Sequence, residues 1–133
     1  MLQTINRFLD TYTRRSLDDC LACFKQSDET VVFGTLADEK RIGINAIRAQ
    51  LERDWEQSLD TTLEMTWHKA VSHGGTGWVA TEFLFRFKTA SGDGAVPVRA
   101  SFVLEQDGSG TWLIAHMHFS VPDGSTEDGR SFN

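Results

Sequence analysis

Several signatures are absent from this 133-residue chain, and each absence removes a class of function. There is no cationic surplus: 13 Lys and Arg stand against 19 Asp and Glu, a formal net charge of -6. Nucleic-acid binders need a basic surface to displace counterions from phosphates, so no nucleic-acid partner is expected. No apolar run approaches the roughly 20 residues needed to span a bilayer, so no membrane partner is expected either. The start, Met1 to Arg7, lacks the basic-then-apolar order of a signal peptide, and a cytoplasmic location follows as the expectation. Cysteine is nearly missing. The two present, Cys20 and Cys23, have redox spacing, but no strand precedes them and Asp18 and Asp19 would raise rather than lower a thiol pKa. A zinc site would need two further ligands, and nothing nearby supplies a pair, so the two thiols read as small apolar groups on a buried helix. Tyrosine occurs once, as Tyr12. No internal repeat and no linker divides the chain, and its length suits one domain.

What is present is a change of period. Leu2, Ile5, Phe8, Leu9 and Tyr12 recur at helical spacing, with Asn6, Arg7, Asp10 and Arg14 opposite. Ser16 looks like an N-cap, with Asp19 three positions on, for a short helix carrying Leu17, Leu21 and Phe24. Thr30 to Gly34 is a brief β-rich run, and a polar connection through Asp38, Glu39 and Lys40 follows. A third helix opens near Gly43 with Ile44, Ile47, Leu51 and Trp55 as its apolar stripe. Beyond Leu59 the pattern alternates to the end, in four long strands. Gly74 to Gly77, Asp93-Gly94 and the Asp107 to Gly110 region mark the turns. The expectation is an α+β domain over residues 1–122, its helices covering one face of an antiparallel meander. Pro122 ends the last strand, and residues 123–133 form a polar tail expected to be mobile.

Alternation sorts the strands into two faces. Leu63, Met65, Trp67, Val79, Phe83, Phe85, Phe87, Phe102, Leu104, Leu113, Ala115, Met117 and Phe119 form the apolar set expected to meet the helices. The opposite set, Glu64, His68, Trp78, Glu82, Arg86, Arg99, Ser101, Trp112, Ile114, His116 and His118, mixes aromatics with charge, the makeup of an interface. A one-residue slip at the long last turn would exchange faces for whole strands. His116 and His118 point the same way; as metal ligands they would need His68 or Glu82 as a third group, and hydrogen bonds or ion pairs explain them as well, so no metal or cofactor is expected.

Taken together, the helix order, Val31-Val32-Phe33-Gly34, the helix running from Gly43-Ile44-Asn45 to Arg53-Asp54-Trp55, and the ending Trp112-Leu113-Ile114-Ala115-His116-Met117-His118-Phe119-Ser120 resemble the SnoaL-like branch of the nuclear transport factor 2-like superfamily. The ending is also similar to the association domain of calcium/calmodulin-dependent kinase II. The resemblance covers Leu2 to Pro122. It implies a cone-shaped, cystatin-like α+β fold whose strongly curved antiparallel sheet wraps the helices, a pocket at the open end, and dimers formed through the sheet. Members include ketosteroid isomerases, polyketide cyclases, dehydratases and modules that only bind or oligomerise, so the fold alone does not fix the function. The isomerases use an inward carboxylate with tyrosine and protonated-acid donors. Here the inward positions of the last two strands, Ala100, Phe102, Leu104, Leu113, Ala115, Met117 and Phe119, carry no acid. Phe119 stands where the kinase domain has a pocket arginine.

Three functions follow as expectations. The first is a homodimeric module binding a small, mostly apolar ligand in a cone lined by Tyr12, Phe33, Trp55, Trp67, Phe85 and Phe119. The second is a proton-transfer enzyme of the cyclase, isomerase or dehydratase type, with His116 or His118 as acid/base, Glu82 or Asp28 as orienter and Arg99 on an oxyanion. It requires the histidine face to line the pocket. The third is an oligomerisation module joined through Trp112, His116 and His118.

Overall fold

Ile5, Phe8, Leu9 and Tyr12 fall on one side of α1 (Leu2–Thr13), and all four are buried. The computed structural model describes residues 1–132; Asn133, the end of the expected tail, lies outside the described residues. Arg15 (φ 58°) breaks α1 and turns the chain into α2 (Leu17–Leu21). Ser16 Oγ bonds to Asp19 Oδ2 at 2.8 Å rather than to a backbone amide, so its cap is made between side chains. Cys20, Cys23 and Phe24 are then wholly buried, and burial pushes the Cys20 thiol up to about 12. A short strand β1 (Val31–Phe33) follows, then β2 (Lys40–Ile42), and α3 (Ile44–Glu56) begins after Gly43. Gly43 has φ +85°, a conformation a side-chain-bearing residue rarely adopts.

Four long strands complete the chain: β3 (Asp60–His73), β4 (Thr76–Thr89), β5 (Gly92–Gln106) and β6 (Trp112–Ser120). The sheet order is β2-β1-β6-β5-β4-β3. Adjacent pairs are antiparallel except β1 with β6, which run parallel. The segment expected to be a polar connection therefore contains an edge strand, β2. The turn expected at Asp93-Gly94 lies three residues earlier, at Ala90 and Ser91, because Thr89 pairs with Gly92. Gly94 sits inside β5 opposite Phe87, and a Cβ there would collide with the Phe87 ring. Among the described residues no helix is long and apolar enough to cross a membrane.

Two bulges decide which side chains face inward. Leu63 and Met65 pair with Phe85 and Phe83, but Trp67 pairs with Glu82, so Thr66 is the extra residue. Beyond it the faces exchange. Trp67 lies on the outer face, half exposed, whereas alternation had put it in the core. In β6, Met117 pairs with Phe102 and His116 with Val103, yet Leu104 pairs with Ile114, which leaves Ala115 extra. Ile114 is fully buried as a result, and Trp112 packs against the core near α1, where Thr4 Oγ1 donates to its carbonyl at 2.7 Å. Trp112 therefore does not share a face with His116 and His118, a second correction. The first half of β6 bonds instead to the chain after α2, with Ile114 N donating to Cys23 O and Lys25 N to Ile114 O, both at 2.8 Å.

Candidate functional site

Between the helices and the inner face of the sheet lies a cavity of about 530 Å³. Its two walls differ. The sheet contributes Leu63, Phe85, Phe87, Val96, Val98, Met117 and Phe119, and α1 and α3 add Phe8, Ile47 and Leu51. These positions are inward because their strand partners are inward: Leu63 pairs with Phe85, Phe85 with Val96, and Met117 with Phe102. Phe85 and Phe87 lie tilted at 5.6 Å, and Phe119 meets Phe83 and Phe102 at 6.2 and 6.0 Å.

The opposite wall is polar and built on α3. Gln50 and Asp54, four residues apart, share the helix face next to Ile47 and Leu51. Tyr12 donates its hydroxyl to Asp54 Oδ2 at 2.9 Å, and Gln50 Nε2 donates to Asp54 Oδ1 at 2.7 Å and to Glu39 Oε2 at 2.8 Å. Arg41 Nε donates to Gln50 Oε1 at 2.8 Å. The Gln50 amide has only one consistent orientation, because an arginine can only donate and two carboxylates can only accept. Glu39 also accepts from Leu36 N at 2.9 Å and from Arg53 Nη2 at 3.1 Å, which ties the β1–β2 loop to α3. Arg15 fixes the end of α3 by donating to Trp55 O and Ser58 O at 2.7 and 3.0 Å, a cation where carbonyls converge.

Burial holds the Asp54 carboxyl above the ordinary aspartate value, and the nearby Glu39 carboxylate adds to the rise; the hydrogen bonds from Gln50 and Tyr12 and the Arg53 charge oppose it. Tyr12 is pushed well above its usual value, by burial first and by Asp54 second. The cavity thus holds a carboxyl group biased towards its neutral form with a phenol hydrogen-bonded to it. The hydroxyl of Thr61, inward-facing opposite Phe87, lines the same cavity, buried and without a hydrogen-bond partner among the described residues.

Of the residues expected to line the pocket, Tyr12, Phe85 and Phe119 do. Trp55 stands behind Tyr12, with ring centroids 5.7 Å apart, and Trp67 is outside for the reason given above. Phe33 pairs with His118 in β1–β6 and points outward, where its ring meets His118 at 5.2 Å and His116 at 6.0 Å. The histidines do not reach the cavity. His116 and His118 are on the outer face, His116 Nδ1 bonding to Val31 O at 2.8 Å. Arg99 and Glu82 pair with each other across β4 and β5 on that same face, and Asp28 is exposed in the loop before β1. The condition for histidine catalysis in the cone is therefore not met. His68 pairs with Thr81 on the inward phase, so it cannot join His116 and His118 around a metal; among the described residues no three His, Cys, Asp or Glu are grouped to hold one.

Sequence reasoning missed Asp54, Gln50 and Arg41. The first two carried a signal: each sits on the core-facing phase of α3, Asp54 three residues after Leu51 and seven after Ile47. Arg41 carried none, because a three-residue strand inside a polar stretch shows no alternation.

The sequence model of the SnoaL-like domain matches residues 1–124. No curated protein matches the sequence. Among solved structures, a nuclear transport factor 2-like superfamily protein from Salmonella enterica superposes with a TM-score of 0.85 at 17% identity, over 96% of this chain and 92% of its own. A protein from Xanthomonas campestris, provisionally assigned as a calcium/calmodulin-dependent kinase II association domain, gives 0.78 at 16% identity, over 90% and 84%. One from Novosphingobium aromaticivorans, provisionally assigned as a scytalone dehydratase, gives 0.80 at 11% identity, over 91% and 80%. At these identities the likeness establishes the fold and nothing finer.

Proposed function

The chain belongs to the SnoaL-like domain family, and from that premise we propose that it binds a small, mostly apolar molecule in the cavity between α3 and the sheet, as a homodimer joined through the outer sheet face. The observation that carries the binding reading is the cavity's division into an aromatic wall and a hydrogen-bonded wall. Ligand sites characteristically combine a large apolar lining with a few placed polar groups that fix orientation. Here Phe85, Phe87 and Phe119 supply the lining, and Tyr12, Asp54, Gln50 and Arg41 the fixed points. Titration with neutral aromatic amides such as cinnamamide and naphthamide, followed by NMR, tests it. Saturable shifts at Tyr12, Met117 and Phe119 are expected. Shifts confined to His116, His118 and Trp78, or none that saturate, would end the cavity reading.

A second reading, favoured by Asp54 specifically, is proton transfer beside a carbonyl, the chemistry of an isomerase or dehydratase. A carboxylate has about four lone-pair sites, and Asp54 uses two, so both oxygens can still take a proton. A carboxylate whose pKa is raised is a stronger base than an ordinary aspartate and takes a proton from carbon more readily. The test is exchange of α-protons from a bound aromatic ketone into deuterated water. Asp54→Asn should slow it by a factor of about 10² or more. Equal exchange with and without protein would leave binding as the function.

A further inference from the structure

The hydrogen-bonding capacity left open in the polar wall is one-sided, and from it we infer that the cavity's ligand carries a carboxylate received by Arg41. This deepens the binding reading above and rests on it. Every acidic group of the wall is already supplied with donors. Glu39 accepts from Leu36 N, Gln50 Nε2 and Arg53 Nη2, and Asp54 from Tyr12 and Gln50. Gln50 is used at both ends, its oxygen by Arg41 and its amide by the two carboxylates.

Arg41 is different. It lines the cavity and is half-buried, on the inward phase of β2 opposite Val32. Its single hydrogen bond is from Nε to Gln50; neither Nη atom has a hydrogen bond or ion pair among the described residues. The acid whose charge it senses, Asp38, is hydrogen-bonded by Arg53 instead, at 2.7 Å. Arg53 also meets Glu39. The Nε bond fixes the plane of the Arg41 guanidinium, and its two Nη atoms present a parallel pair of N–H donors. That fork matches the two oxygens of a carboxylate.

A neutral carbonyl would use half of the fork and leave the charge unmatched. A phosphate dianion would need further buried donors, and among the described residues of the lining the buried group left open is the single Thr61 hydroxyl. A monoanion on an apolar body fits both walls. Two acids line the cavity: Glu39, whose charge is met by Arg53, and Asp54, whose neutral form burial favours.

Calorimetric titration with benzoate, cinnamate and naphthoate, each beside its primary amide, separates the possibilities on the full chain. The wild-type protein should bind an acid at least about ten-fold more tightly than its amide, as a charge-assisted pair predicts. In Arg41→Gln that preference should vanish, the acid losing at least about ten-fold more affinity than the amide, and Arg41→Lys should keep part of it, retaining charge without the fork. Acid and amide bound equally by the wild-type protein would overturn the carboxylate inference and leave the cavity reading standing. Neither bound would overturn both. A preference that survives in folded Arg41→Gln would place the anion elsewhere, against Arg41.

Discussion

Asp54 sits where its charge is costly, between Tyr12 and Gln50 and beside Glu39. Folding raises its pKa above the unfolded value, so the folded protein holds the proton over an interval where the unfolded chain has lost it. Stability contributed by this group therefore falls as pH rises from the ordinary aspartate value of about 3.9 through the raised one, and stays lower above it. Asn at this position is accommodated: its carbonyl accepts from Gln50 and its amide donates to Tyr12. The expected outcome is that wild type loses stability relative to Asp54→Asn across that interval, read from urea midpoints at a series of pH values. A difference that is flat with pH would mean that the carboxyl is not raised. At the same scale, burial keeps the Cys20 thiol protonated, so neither electropositive surroundings nor access makes it a reactive cysteine.

Bulges govern the strands, and their consequence can be measured in β6. Unbroken alternation puts Leu113 inward and Ile114 outward; the extra residue Ala115 reverses them, leaving Ile114 fully buried and Leu113 partly exposed. Ile114→Ala should then cost about 2–5 kcal/mol, the range for emptying a packed aliphatic site, and Leu113→Ala clearly less. Chemical denaturation of the two variants compares them directly. The opposite ranking would restore the simple register. The same device in β3 moves Trp67 out of the core, and β1 places Phe33 outside by pairing with His118. Two of the six residues expected around the pocket were lost at these points, because neither a bulge nor the pairing of a short strand leaves a mark in a run of alternating side chains.

Across the whole molecule the outer face forms a continuous band. Paired positions run from Ile42 through Val31, His116, Val103 and Trp78 to Val71, one residue from each strand. Phe33, Ile42, Trp67 and Trp78 remain substantially exposed on that face. Exposed aromatic area of this kind marks an interaction surface, which is why the proposed dimer is placed here, though without Trp112. Trp78→Glu should halve the mass measured by light scattering while leaving the circular dichroism spectrum intact. A variant that keeps the dimer mass would assign association to another surface. The second, smaller recess beside α2, lined by Asp18, Gln26, Arg48 and Leu113, lies outside this band and has no aromatic wall of its own beyond Phe24.

By itself the sequence determined the order and type of the elements other than β2, the three helical stripes, the inner faces of β4 and β5, and the family. These depend on periodicity, which local side-chain chemistry writes along the chain. Tertiary structure alone decided where the faces exchange, since a bulge is set by what the neighbouring strand and the chain after α2 can pair with. It also decided the chemistry of the cavity. Tyr12, Arg41, Gln50 and Asp54 come from α1, β2 and α3, and their network exists only once the β1–β2 hairpin folds over α3. The last strand names the fold, while the polar groups of the site stand on α1, α3 and the edge strand β2.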